Sequence, residues 1–90
     1  MPTVNFTSSL KRFFPKLKET HTETSHLREV LEELENMYPG IKDYIIDESG
    51  ALRQHVNIFI NGNLIQDTQT LDVPLSPRDE VYILQALSGG

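Results

Sequence analysis

Ninety residues make one domain, and a chain of this length buries roughly 60–65% of the surface its unfolded form exposes, leaving little volume for an enclosed active site. Composition is ordinary for a globular protein, 38% hydrophobic and 23% charged, but there is no cysteine, which excludes disulfides, thiolate metal sites, iron–sulfur clusters and cysteine nucleophiles. The net charge of −5 disfavours nucleic acid and anionic membranes as partners and suits a partner with a basic docking surface.

No run approaches the roughly eighteen apolar residues of a membrane span, and Met1-Pro2-Thr3-Val4-Asn5 has neither the basic region nor the apolar run of a secretory signal. The first element is a strand over Thr3–Phe6, where Val4 and Phe6 alternate with polar residues. Leu10 to Leu17 reads as a loop feeding a second strand around Lys16–Thr20, antiparallel to the first. The next segment carries a clear helical period. Leu27, Val30, Leu31, Leu34 and Met37 recur at steps of three and four, with Arg28, Glu29, Glu32, Glu33 and Glu35 on the other side. Thr24 or Ser25 supplies a cap for its start, and Pro39-Gly40 ends it.

After an apolar cluster (Ile41, Tyr44, Ile45, Ile46) and a turn at Asp47-Glu48-Ser49-Gly50, the period changes to two. Val56, Ile58 and Ile60 share one face of a strand, and Asn61-Gly62 is a strong hairpin signal. Leu64-Ile65 starts the returning strand. Residues 67–77 are turn-rich, with Leu71, Val73 and Leu75 as anchors, and Val81-Tyr82-Ile83-Leu84 forms the final strand. One helix must then cover one face of a mixed sheet, a two-layer α+β domain. The crossover through the helix is long enough to let the first and last strands lie parallel.

The last four residues, Leu87-Ser88-Gly89-Gly90, follow directly on that strand and reach at most ~14 Å beyond it. A frayed terminus is the plain alternative. A terminal carboxylate, with a pKa of about 3.5, is ionised and a poor electrophile at neutral pH. Activation, most simply as an acyl-adenylate made with ATP, requires the tail to thread a narrow channel, and glycine lets the backbone through where side chains would block it.

Three stretches carry a resemblance: Leu31-Glu32-Glu33-Leu34-Glu35-Asn36-Met37-Tyr38-Pro39-Gly40-Ile41, His55-Val56-Asn57-Ile58-Phe59-Ile60-Asn61-Gly62, and Asp79-Glu80-Val81 through Ser88-Gly89-Gly90. In this order and spacing the chain resembles the ubiquitin-like sulfur carriers: the small subunit of molybdopterin synthase, the thiamine-pathway carrier and, most nearly, the thiocarboxylate carrier of cysteine biosynthesis. The sequence departs from the family pattern at Arg78, where a glycine often stands, and at Gln85, where a proline is common. The resemblance implies a β-grasp domain over 1–86 and a flexible diglycine tail over 87–90. It implies that a partner adenylyltransferase/sulfurtransferase adenylates Gly90 with ATP and that a sulfur source converts it to a thiocarboxylate, Gly89 giving access. It further implies a sulfur-accepting enzyme, such as a pyridoxal-phosphate-dependent (PLP) cysteine synthase, a cytoplasmic setting, and no cofactor bound by this chain.

If Val56, Ile58, Ile60, Val81 and Ile83 face the helix, then Phe59, Tyr82 and Leu84 face away. With Leu87 and Ser88 they form an expected partner-docking surface. Other patterns are weaker. His21, His26 and His55 lack metal-ligand spacing, and the glutamates of the helix read as a solvated face. Asn5-Phe6-Thr7 matches a glycosylation acceptor that a chain without a secretory signal does not present to the enzyme. Lys11-Arg12 with Phe13-Phe14 is a small basic-aromatic patch in a chain too acidic overall for nucleic acid. Three functions fit: a sulfur carrier acting as protein co-substrate, a protein modifier joined to lysine through Gly90, and a non-catalytic interaction module. Catalysis by the domain itself is the least expected, since no nucleophile–base pair is present.

Overall fold

The computed structural model describes residues 1–85. Ala86 and the expected tail, Leu87, Ser88, Gly89 and Gly90, lie outside the described residues. The elements in chain order are β1 (Thr3–Phe6), α1 (Ser8–Lys11), β2 (Thr20–His21), α2 (Leu27–Met37), α3 (Ile41–Ile45), β3 (Val56–Ile60), β4 (Asn63–Leu64) and β5 (Glu80–Gln85). The strands form one five-stranded sheet of order β2-β1-β5-β3-β4. β1 and β5 are parallel, with Val4 opposite Val81 and Phe6 opposite Ile83. β3 is antiparallel to β5, with Ile58 opposite Ile83. Alternation along these strands turns Val4, Phe6, Val56, Ile58, Val81 and Ile83 to one face, where all are buried.

That face packs against α2, whose Leu27, Val30, Leu31 and Leu34 are buried as their spacing predicts. Each such side chain contributes about 1.5–3 kcal/mol relative to exposure. Met37 departs from the expectation: it is 47% exposed, because the last turn of α2 runs past the edge of the core. The start of the helix also departs. Neither Thr24 nor Ser25 caps it; His26 is the N-cap residue and makes no side-chain cap bond. The orphan N–H of Leu27 instead donates to the Val73 carbonyl at 2.9 Å, and Leu75 N–H donates to the Ser25 carbonyl at 2.8 Å. A loop distant in sequence thus does the work of a cap.

The second strand is shorter and later than expected, Thr20–His21 rather than Lys16–Thr20, though it is antiparallel to β1 as anticipated. The preceding segment is not simply a loop, since Ser8–Lys11 forms a helical turn that carries buried Leu10, and Leu17 anchors the chain between them. The apolar cluster after Gly40 is a second short helix, α3, with Ile41 and Ile45 buried. Its start is held by Glu35, whose carboxylate accepts the N–H groups of Gly40 at 2.8 Å and Lys42 at 2.9 Å. Gly40 takes φ +98° between the helices, a region that L side chains rarely adopt.

The hairpin forms at Asn61-Gly62, with φ +53° and +84°, the signature of a two-residue type I′ turn. The returning strand is Asn63–Leu64, one residue earlier than expected, which sends Ile65 into the core. Asn61 also ties the hairpin to β5: its side chain donates to Asp79 at 2.8 Å and accepts the N–H of Glu80 at 2.9 Å. The turn-rich segment wraps around Asp67, whose carboxylate accepts the N–H groups of Gln69, Thr70 and Asp72. That wrapping carries Leu71 through φ +55° to a fully buried position. Leu75 is buried and Val73 partly so, as the sequence predicts.

Candidate functional site: the end of the central strand and the outer sheet face

β5 lies at the centre of the sheet, hydrogen-bonded to β1 on one side and β3 on the other. Gln85 is thus the last described residue of the sheet's most constrained strand. At Gln85 three elements converge. Its backbone N–H faces Thr7 Oγ1 at 3.4 Å, and its side-chain Nε2 donates to the Tyr44 carbonyl of α3 at 3.4 Å. Opposite it on β3 stands Val56. Thr7 in turn donates its N–H to the Ile83 carbonyl at 3.3 Å, so pairing with the β1 side continues to the end of the strand.

The residues of the expected docking surface that are described share the outer sheet face. Registers place Asn5 beside Tyr82, Tyr82 beside Phe59, and Phe59 beside Leu64, a transverse row across four strands. Leu84 adjoins the row on β5, with Asn57 as its β3 partner. Tyr82 is 45% exposed and Leu64 53% exposed, while Phe59 and Leu84 are half-buried. The structure thus brings together Phe59, Tyr82 and Leu84. Leu87, Ser88, Gly89 and Gly90 are outside the described residues. Leu64 joins the row without having been singled out from the sequence; the two-residue turn holds the signal, since that loop length fixes Leu64 opposite Phe59.

The perturbed carboxylates lie elsewhere and have structural causes. Glu35 is held below the ordinary carboxylate range by the N–H groups of Gly40 and then Lys42. Asp47 is lowered first by the Ser49 hydroxyl, against partial desolvation, and also by the N–H groups of Ala51 and Ser49. Asp67 is lowered most, first by the Thr70 hydroxyl and then by backbone N–H groups. Each pins a loop or helix start. The histidines sit on separate elements: His21 beside Thr3 Oγ1 at 3.3 Å, His26 against Asp72 at 2.5 Å, and His55 exposed in the turn before β3. Among the described residues no group of three or more His, Asp or Glu is placed to hold a metal ion, and no helix is long and apolar enough to cross a membrane.

A mixed sheet whose first and last strands are parallel at its centre, with one main helix across one face, defines a ubiquitin-like β-grasp protein. Residues 4–90 match the ThiS family model, and the chain belongs to the ThiS family of ubiquitin-like sulfur carriers. It is 30% identical to the sulfur carrier protein CysO of Mycobacterium tuberculosis over 90 residues, 98% of this chain and 97% of the relative. The crystal structure of that M. tuberculosis CysO superposes with a TM-score of 0.81 at 28% identity, covering 97% of this chain and all of the other. CysO from the BexX/CysO complex of Amycolatopsis orientalis gives a TM-score of 0.83 at 22% identity over the full length of both chains, a likeness of fold.

Proposed function

We propose that this protein carries sulfur for cysteine biosynthesis as a thiocarboxylate on its own C-terminal residue, Gly90. The observation that carries the reading is the family match running to residue 90, on a β-grasp fold whose central strand is β5. A Gly90 carboxylate oxygen attacks the α-phosphorus of ATP on a partner enzyme, and pyrophosphate leaves. A sulfide equivalent then attacks the acyl carbon and AMP leaves, giving the thiocarboxylate. Gly89 lets the backbone pass the partner's channel. The β-grasp domain, residues 1–86, is the handle, and 87–90 the tail. ATP binds the partner, so the chain works as a co-substrate, without a cofactor or catalytic group of its own. A PLP-dependent cysteine synthase in the cytoplasm fits as the sulfur acceptor. The outer face, Phe59, Leu64, Tyr82 and Leu84 with Leu87 and Ser88 of the tail, is where a partner grips; that the A. orientalis CysO is found in complex with BexX supports a partner-binding role.

The test is the intact mass of protein purified from its host, and of protein incubated with the host's activating enzyme, ATP and sulfide. A gain equal to the replacement of one oxygen by sulfur, mapped to the C-terminal peptide and absent from a Gly90 deletion, is the expected result. Mapping matters because Met1 and Met37 are 60% and 47% exposed, and their oxidation adds the same nominal mass. Unmodified C-terminal peptide under both conditions would sink the carrier reading.

A further inference from the structure

Charge along this acidic chain is segregated. Residues 1–18 hold Lys11, Arg12, Lys16 and Lys18, four of the eight Lys and Arg, and none of the thirteen Asp and Glu. Among the described residues the Lys or Arg ion pair uses another group, Lys42 with Glu32. The fold sets the basic segment beside an apolar groove of about 300 Å³, walled by Phe13, Phe14, Lys16, Met37 and Tyr38. Phe13 is 52% and Met37 47% exposed, a large apolar cost in water unless something covers them. The groove is firmly backed: Phe13 and Phe14 pack on Tyr44 with ring centroids 5.0 and 5.3 Å away, the latter edge-on. It also borders the root of the tail, since α1 contacts β5 and the Tyr44 carbonyl accepts from Gln85.

Resting on the carrier reading above, we infer that this basic-aromatic groove docks an acidic, apolar-anchored segment of the enzyme that activates the tail. An aliphatic or aromatic side chain of that enzyme fills the groove, while Asp or Glu beside it meet Lys11, Arg12 and Lys16. Two constraints select this occupant. A four-residue tail spans at most ~14 Å, so the enzyme that receives it must lie against the end of β5. A standard interface takes about 800 Å² from each partner, room enough for a footprint that includes the groove beside the end of β5. Outside this basic segment the chain is acidic, which disfavours an extended polyanion over a short acidic segment that meets only this rim, and an apolar groove is no phosphate site. Complementary charge at this rim speeds encounter and fades with salt.

The experiment measures KM and kcat for the carrier in adenylation by the host's activating enzyme, across a salt series. The variants are Lys11→Glu/Arg12→Glu, Phe13→Ser and two charge reversals of equal size, Arg12→Glu alone and, as its control, Arg78→Glu, which lies just before the start of β5, at the opposite end from Gln85. The double reversal is expected to raise KM roughly tenfold at low salt, with kcat held and the salt dependence flattened. Phe13→Ser raises KM with the salt dependence kept, and Arg78→Glu changes it less than about twofold. Unchanged melting curves separate these effects from unfolding. A KM unmoved by the double reversal, or moved as much by Arg78→Glu as by Arg12→Glu, overturns the docking site while leaving the carrier reading intact. Capture of the protein by tRNA or anionic vesicles through Lys11 and Arg12, without effect on KM, overturns it too. Wild-type protein that is never adenylated overturns the carrier reading and this inference with it.

Discussion

Replacing Ile83 with alanine tests whether β5 is the centre of the core. Ile83 is fully buried, with Phe6 as its β1 partner and Ile58 as its β3 partner. The substitution removes three carbons, about 2.4 kcal/mol of transfer free energy at roughly 0.8 kcal/mol for each methylene equivalent. Neighbours fixed in a paired sheet collapse only partly into the gap, so the residual cavity raises the loss to about 3–4 kcal/mol. A chain of this length has a total stability of about 5–13 kcal/mol, so a large share is lost. Urea unfolding followed by far-UV circular dichroism should show the midpoint fall with the slope unchanged, and the melting temperature should drop by roughly 15–25 °C. Tyr82→Ser, one residue earlier but on the outer face, should cost no more than about 1 kcal/mol. A loss below about 1 kcal/mol at Ile83, or equal losses at the two positions, would refute the assignment of inner and outer faces.

Replacing Phe59 and Tyr82 together by serine should leave a folded protein, with a melting temperature within about 10 °C of wild type, but should raise KM in adenylation; an unchanged KM removes the outer face from the docking surface. Glu35, Asp47 and Asp67 have folded-state pKa values below their unfolded ones, so their contribution is present in full above about pH 5 and is lost as pH falls through those depressed values. Thermal melts should therefore fall steadily below about pH 4, and a flat profile down to about pH 2 would contradict the loop-pinning roles. Gly62→Ala meets no atom within 4 Å but must adopt φ +84°, so strain alone should cost about 1 kcal/mol; a neutral result in urea unfolding would show that the turn relaxes to another type.

The elements that the sequence revealed are those whose pattern repeats. Four of five apolar positions in α2 fall on the buried face, and β3 and β5 alternate over enough residues to show a period of two. Single-turn helices offer no such repeat. α1 is held by one buried anchor, Leu10, and α3 by two, Ile41 and Ile45, with the Glu35 carboxylate of α2 accepting the N–H groups at the start of α3. β2 has two residues, too few for alternation to register. The start of α2 was misread because a Val73 carbonyl, far along the chain, satisfies what a local Thr24 or Ser25 would otherwise cap. For the site, alternation was enough to find Phe59, Tyr82 and Leu84. Leu64 needed the hairpin register, and the groove of Phe13, Phe14 and Met37 depends on α1 and α3, which the sequence did not display. The reading of Gly89 and Gly90 rests on the passage that glycine gives the backbone and on the family resemblance, and both residues lie outside the described residues.

Because β5 is bonded along both edges, by parallel β1 and antiparallel β3, its anchorage has a mechanical side. A pull on the chain beyond Gln85 acts along the strand axis, across the direction of the inter-strand hydrogen bonds. Both ladders are then loaded in shear, many bonds sharing the force at once, rather than peeled open one at a time as an edge strand would be. Force applied to the chain just beyond Gln85 would therefore meet a stiff tether, and β5 would be the strand of this sheet that yields last to a pull along its axis.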